Sequence, residues 1–204
     1  MSGICIKILF VGDSSVGKTS LLLKYVDGHF SDTHMSTIGV EYKDKIININ
    51  GREVNLQIWD TSGQERYQSI TKNFYRNADG ILFIFDLTNE ESFNHIKNWL
   101  TTSEDCKKDF KKILVGNKSD LMFDRKVSDE KIEKFAEKKE MKFFEASAKD
   151  GTNVDRIFKE MAQLILKNKT DEEIKEKFTT RPHSLNTLSK ETHLGVSKQK
   201  CCYI

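Results

Sequence analysis

Lys18 and Thr19 close an eight-residue run, GDSSVGKT at 12–19, whose spacing fits G-x-x-x-x-G-K-[ST]. Gly12 and Gly17 allow the backbone to fold closely around an anion, with Asp13, Ser14, Ser15 and Val16 forming the turn between them. The N–H groups of Ser15 to Lys18 then point inward as donors, and the positive end of the following helix adds to the hold. Lys18 should reach the outer phosphates of a nucleotide, while the Thr19 hydroxyl completes a Mg²⁺ shell shared with them. The plainer reading is a glycine-containing turn, but phosphate binding requires a strand before the motif and a helix after it, and both are present.

Two later segments bear on the base. NKSD at 117–120 follows the apolar run KILVG, and SAK at 147–149 follows KFFEA. Both lie at the carboxyl ends of strands, where α/β sheets bind ligands. The Asp120 carboxylate can accept both the N1–H and the 2-amino group of guanine. Adenine has no 2-amino group and presents an acceptor at N1, a mismatch worth on the order of 10⁴-fold in a site built for hydrogen bonding. Asn117 would tie this loop to the phosphate loop, and the Lys118 stem would cover one base face. Within SAK, the Ala148 N–H would meet the guanine carbonyl, with Ser147 and Lys149 on either side. Alone, NKSD is a common polar turn; the order of the segments gives it weight.

The elements that must position these residues can be read from periodicity. Ile4 to Val11 reads as a strand, and GKTSLLLKYVDG as a helix stopped by Gly28. KIININGREVNLQIWD alternates apolar and polar residues on both sides of Asn50-Gly51, the commonest two-residue hairpin turn. GILFIFD and KILVGN are continuous apolar runs, as expected of strands covered on both faces. SFNHIKNWL, EKIEKFAEKK and NVDRIFKEMAQLIL carry helical spacing. This alternation predicts an α/β fold: a mostly parallel six-stranded sheet with one antiparallel edge strand and helices on both faces. After about Leu166 the periodicity stops, although KNKTDEEIKEKF could lengthen the last helix. His95 and Trp99, four apart on one helix, read as packing, because no acidic or cysteine partner stands near in sequence. KKDFKK and EKKEMK read as solvated faces.

Composition narrows the class. The 204 residues are 37% hydrophobic and 31% charged, with a net charge of +2, too small to suggest nucleic acid as a partner. No stretch approaches the roughly 18 apolar residues of a membrane span. MSGICIKILFVG runs straight into a strand without a secretory leader pattern. Cys5 and Cys106 are isolated, and Cys201 and Cys202 are adjacent. That is no disulfide framework, and a reduced, cytosolic setting is expected.

GDSSVGKT, STIGVEYK, WDTSGQERY, GNKSD and EASAK together make the chain resemble a Ras-superfamily small GTPase over about residues 4–167. IGVEY, LQIWDTSGQERY and FYRNADGILFIFDLTNEESF resemble stretches that set the Rab family apart from Ras, Rho and Arf relatives. The long Rho insertion, the Arf glycine at position 2 and the acidic tail of Ran are missing. The resemblance implies a P-loop GTPase fold, with a GTP-binding domain over 1–169 and a flexible tail over 170–204. It implies slow hydrolysis of GTP to GDP and phosphate, with Mg²⁺, in a protein that switches between GDP-bound and GTP-bound states in vesicle trafficking.

Residue by residue, Thr37 resembles the switch threonine that binds Mg²⁺ and senses the γ-phosphate. Asp60 resembles the aspartate that holds Mg²⁺ through water. Gly63 resembles the glycine whose N–H contacts the γ-phosphate, and Gln64 the glutamine that orients the attacking water. Phe30 resembles the aromatic residue that packs against guanine. Ile38, Gly39, Val40, Glu41, Tyr42, Trp59, Phe74 and Tyr75 resemble the surface that displays the nucleotide state to effectors, although Phe74 is also compatible with a core position. Two residues depart from the pattern. Ser62 stands where alanine is usual, and His34 where Rabs often carry a tyrosine; a tolerated substitution is the plainer reading of both. Arg66 resembles a surface residue of the second switch rather than a catalytic arginine.

The implied partners are an exchange factor, a GTPase-activating protein, a GDP-dissociation inhibitor, a prenyltransferase with its escort protein, and GTP-dependent effectors. A monomer is expected, on the cytoplasmic face of an intracellular or plasma membrane, with a GDP-bound cytosolic pool. Membrane attachment would run through CCYI, which resembles a geranylgeranylation site at Cys201 and Cys202. It can also be parsed as C-a-a-X, with Cys201 alone modified. One prenyl chain needs a second signal, and only Lys198 and Lys200 stand near, so two lipids are expected. Two rival classes are a P-loop ATPase or small-molecule kinase, opposed by NKSD and SAK, and a nucleotide-bound static module, opposed by the full set Lys18, Thr19, Thr37, Asp60 and Gln64.

Overall fold

In the computed structural model, residues 4–31, 37, 39–61, 68–167 and 172–173 are described, with the backbone alone at 68–72. Alternating sequence on both sides of Asn50-Gly51 calls for a tight turn with two positive φ angles. Asn50 takes φ 52° and Gly51 φ 82°, as a type I′ turn requires, and Gly51 N–H donates to Asn48 Oδ1 at 2.9 Å. The turn joins β2 (Val40–Ile49) to β3 (Arg52–Thr61). They pair antiparallel from Val40↔Thr61 to Ile49↔Arg52.

β1 (Ile4–Val11) lies between β3 and β4 (Gly80–Asp86), parallel to both. β5 (Lys111–Asn117) and β6 (Lys142–Glu145) extend the sheet in parallel, giving the order β2-β3-β1-β4-β5-β6. This is the architecture expected from the sequence. The chain winds to one side of β1 and then to the other, which opens a crevice at the carboxyl end of β1.

Period-2 alternation explains the continuous apolar strands. Ile6, Ile8 and Phe10 join Leu82, Ile84, Ile113 and Val115 on one face, under α1 (Lys18–Asp27) and α5 (Val154–Leu166). Leu9, Val11, Ile81, Phe83 and Leu114 enter the core on the other face. That second core is covered by α2 (Gln68–Asn77), α3 (Glu90–Cys106) and α4 (Asp129–Lys138). Phe158 of α5 stacks on Tyr25 of α1 with centroids 3.6 Å apart and lies 5.8 Å from Phe10.

Local chemistry sets the helix ends. Gly28, in the left-handed region at φ 68°, ends α1 and returns its N–H to Lys24 O. Asn89 starts α3 by accepting from the N–H groups of Glu91 and Ser92. Among the described residues, no helix is long and apolar enough to cross a membrane. Lys107, expected on a solvated face, instead donates to Ala78 O at 2.6 Å.

Candidate functional site

The phosphate loop leaves β1 at Gly12 and enters α1 at Lys18. A Cβ on Gly12 would lie 2.0 Å from Ile84 O, and one on Gly17 2.3 Å from Asn117 Nδ2. Both glycines sit at positive φ, 146° and 91°, so backbone approach and conformation each require them. Lys18 is 5% exposed and curls back over the loop. Its Nζ donates to Gly12 O at 2.8 Å and Asp13 O at 2.6 Å. Burial lowers its pKa to about 8, against the pull of Asp60 and Asp13. A buried ammonium held on carbonyl oxygens beside a helix N-terminus is an anion receptor.

Beside it three oxygen-bearing side chains from three segments converge. Thr19 Oγ1 lies 2.7 Å from Thr37 Oγ1 and donates to Asp60 Oδ2. Asp60 is fully buried, and burial pushes its pKa up to about 6, although hydrogen bonds from Thr19 and Thr37 and the charge of Lys18 oppose this. Its other oxygen, Oδ1, is buried and has no hydrogen-bond partner among the described residues. An orphaned carboxylate oxygen beside two hydroxyls is a hard, oxygen-only donor set of the kind Mg²⁺ takes. The residues present therefore fit the ion.

The base side is built from β5, β6 and the turns after them. A cavity of about 320 Å³ is lined by Phe30, Asn117, Lys118, Asp120, Ala148 and Lys149, among others. Asn117 is 1% exposed and bridges both halves of the site. Its Nδ2 donates to Val16 O at 2.8 Å, and its Oδ1 accepts from Ala148 N–H at 3.3 Å. Asp120 Oδ1 accepts from Ser147 Oγ at 2.7 Å, which fixes the carboxylate at the cavity wall. The Ala148 contact is long, and a guanine carbonyl could displace it. Lys118 adopts φ 66°, and its Nζ pairs with Asp86 Oδ2 at 2.6 Å.

The aromatic surface differs in one member from the expected set. Tyr42, 41% exposed, lies 4.8 Å from Trp59, which lies 4.9 Å from Phe74 (centroid distances). Lys7 Nζ sits 4.4 Å from the Trp59 ring centroid. Tyr75, expected with them, is instead 1% exposed and belongs to the core. Successive residues of α2 point about 100° apart, so Phe74 and Tyr75 cannot share a face. Gly39 leads into β2, and Val40 and Glu41 are its first two residues. Ile38, Ser62, Gly63, Gln64, Arg66 and His34, together with Cys201 and Cys202, lie outside the described residues.

Two features escaped the sequence reading. Asp86 anchors Lys118, and Asp13 is held from α3 by His95 Nδ1 at 2.6 Å and Trp99 Nε1 at 2.8 Å. The four-residue spacing put His95 and Trp99 on one helix face, but only the β1–β4 pairing brings that face to the phosphate loop.

A model of the Ras family matches residues 7–167. The Ras-related protein Rab-1D of Dictyostelium discoideum is 41% identical over 198 residues, covering 96% of this chain and 95% of the relative. The Ras-related protein Rab-13 of Rattus norvegicus is 42% identical over 161 residues, 78% of this chain and 79% of that one. The GTP-binding protein YPTM2 of Zea mays is 45% identical over 160 residues, with the same shares covered.

Proposed function

The chain belongs to the Ras family, among its Rab small GTPases, and on that premise we propose that the residues assembled here run its GTP cycle and that the cycle directs vesicle traffic. It binds GTP and GDP with Mg²⁺ and hydrolyses GTP. Asn117 carries the assignment of roles. One buried side chain locks the NKSD turn and the SAK turn onto the phosphate loop, so base and phosphates are read by one rigid unit.

In this reading Lys18 exchanges loop carbonyls for the outer phosphates, and the N–H groups of residues 15–18 line the same anion. Thr19 and Thr37 directly, and Asp60 through water, would hold Mg²⁺, which would supply charge neutralisation at those phosphates. Asp120 accepts from the guanine edge, Ala148 N–H donates to its carbonyl, and Phe30 and the Lys118 stem cover its faces. Gln64 orients the attacking water, and Gly63 N–H contacts the γ-phosphate. Loss of that phosphate removes the partner of Thr37 and Gly63, and the switch segments relax. Tyr42, Trp59 and Phe74 carry the state to effectors.

The GTP-binding domain is assigned to 1–169 and the tail to 170–204, with lipid on Cys201 and Cys202 as the membrane tie. The regulators are those of Rabs generally: an exchange factor, an activating protein and a dissociation inhibitor.

A titration of purified protein with GDP, GTP, ADP and ATP tests the site. Guanine nucleotides should bind at least 10³-fold more tightly, given how polar mismatches are rejected; equal affinity for ATP would overturn the reading. As in Ras-type GTPases generally, turnover by the isolated protein should be slow. An activating protein should raise it about 10³- to 10⁵-fold, the range seen for Ras-type GTPases. Gln64→Leu should abolish most of that gain in a phosphate-release assay.

A further inference from the structure

Asp13 is an acidic residue within a loop that must hold anions, which calls for a structural reason. Its carboxylate does not face the phosphate cradle as a free charge. Oδ1 accepts from Trp99 Nε1 at 2.8 Å, and Oδ2 lies 2.6 Å from His95 Nδ1. Both donors stand on α3, one helical turn apart, and the two oxygens take one each. The same residue's carbonyl, with that of Gly12, receives Lys18 Nζ. The chain of contacts therefore runs from α3 through the Asp13 side chain to its backbone, and from there to the phosphate-binding lysine.

We propose that Asp13 is a positioning residue of the phosphate loop, clamped by His95 and Trp99, and that this clamp from α3 sets how tightly the β-phosphate is held. The clamp works through geometry. A residue with both carboxylate oxygens fixed has little freedom in its own backbone, so the loop carbonyls and N–H groups keep one arrangement whether or not Lys18 rests on them. Because both hydrogen bonds end on a charged acceptor, each is stronger than a neutral pair. Asp13 is partly exposed at 26%, whereas His95 is exposed at 53%. Trp99 is the firmer arm, since it packs against the core of its own face.

This inference rests on the reading of the site as a guanine-nucleotide site, and its test separates the two. Full-length protein would be titrated with GDP and with GMP, which lacks the β-phosphate, for wild type, Trp99→Phe, His95→Leu, His95→Asn and Asp13→Ala, with thermal melting in parallel. Trp99→Phe keeps the ring and removes the N–H. It should weaken GDP binding about 3- to 30-fold, the size of one hydrogen bond to a charged group near solvent, and leave GMP binding within about twofold. His95→Asn, which retains a donor, should recover much of the loss seen in His95→Leu. Trp99→Phe combined with Asp13→Ala should be no worse than Asp13→Ala alone, because the shared bond is already gone. Equal weakening of GDP and GMP in step with melting temperature would mean a general loss of fold and would overturn the clamp. Wild-type GDP affinity in the variants would overturn it too. Failure of wild type to prefer GDP over ADP would instead overturn the functional reading beneath it.

Discussion

Asp120 is the residue proposed to tell guanine from adenine, and its geometry makes a strong prediction. Ser147 already fixes one oxygen, so the carboxylate cannot swing to suit another base. Asp120→Asn exchanges an acceptor for an N–H₂ that faces the guanine donors. GDP affinity, measured by titration, should fall on the order of 10³- to 10⁴-fold while the fold stays intact by circular dichroism. His95 makes a pH prediction. Its pKa is raised by the hydrogen bond to Asp13, then by the charge of Asp13, with Glu91 on the same helix adding to it. A histidine raised above its unfolded value stabilises most fully below about pH 6.5, and that gain is lost as pH rises through its folded value. The deficit of His95→Asn relative to wild type in urea unfolding should therefore be larger near pH 6 than near pH 8.5. An equal deficit at both would show that the histidine acts only as a neutral donor.

At the scale of elements, α5 is the helix whose apolar face closes the first core, and Phe158 is its largest contribution. Phe158→Ala should cost about 3–5 kcal/mol in denaturant unfolding, since the stacked ring of Tyr25 cannot collapse into the space left. Asn89→Ala at the start of α3 should cost about 1 kcal/mol by freeing two N–H groups. How far the sequence could be read also divides by element. The Asn50-Gly51 hairpin was legible because a turn type and the period-2 pattern beside it impose a local rule, and the strand at Ile4–Val11 because a short apolar run must be covered. The phosphate loop was legible because its glycines answer to a ligand, and the structure adds that Ile84 and Asn117 also forbid anything larger. The Asp13 clamp was not legible, because its acceptor is 82 residues away from His95 in sequence. Tyr75 was misplaced for a related reason: adjacent aromatics in a helix look alike in sequence, and only packing decides which faces in.

For the whole molecule, the membrane tie proposed at Cys201 and Cys202 would carry one lipid or two. A single prenyl chain gives marginal membrane binding, and Lys198 and Lys200 would add roughly 1 kcal/mol each on an anionic surface. A mass spectrum of the membrane-extracted C-terminal peptide should show two prenyl groups; one would assign the anchor to Cys201 and to a second signal elsewhere. The domain itself has a more general property, which follows from two neighbours on β3. Trp59 stands among the surface aromatics and Asp60 among the oxygens proposed to hold the metal, because a strand sends successive side chains to opposite faces. One peptide unit separates the display from the thing displayed. For an effector of the kind proposed for the aromatic side, one that prefers the GTP-loaded form, linkage runs equally in both directions. Whatever factor an effector gains from the GTP-loaded form, it must return as an equal gain in the chain's preference for GTP over GDP. The concentration of such a partner would therefore shift the balance of bound GTP over bound GDP.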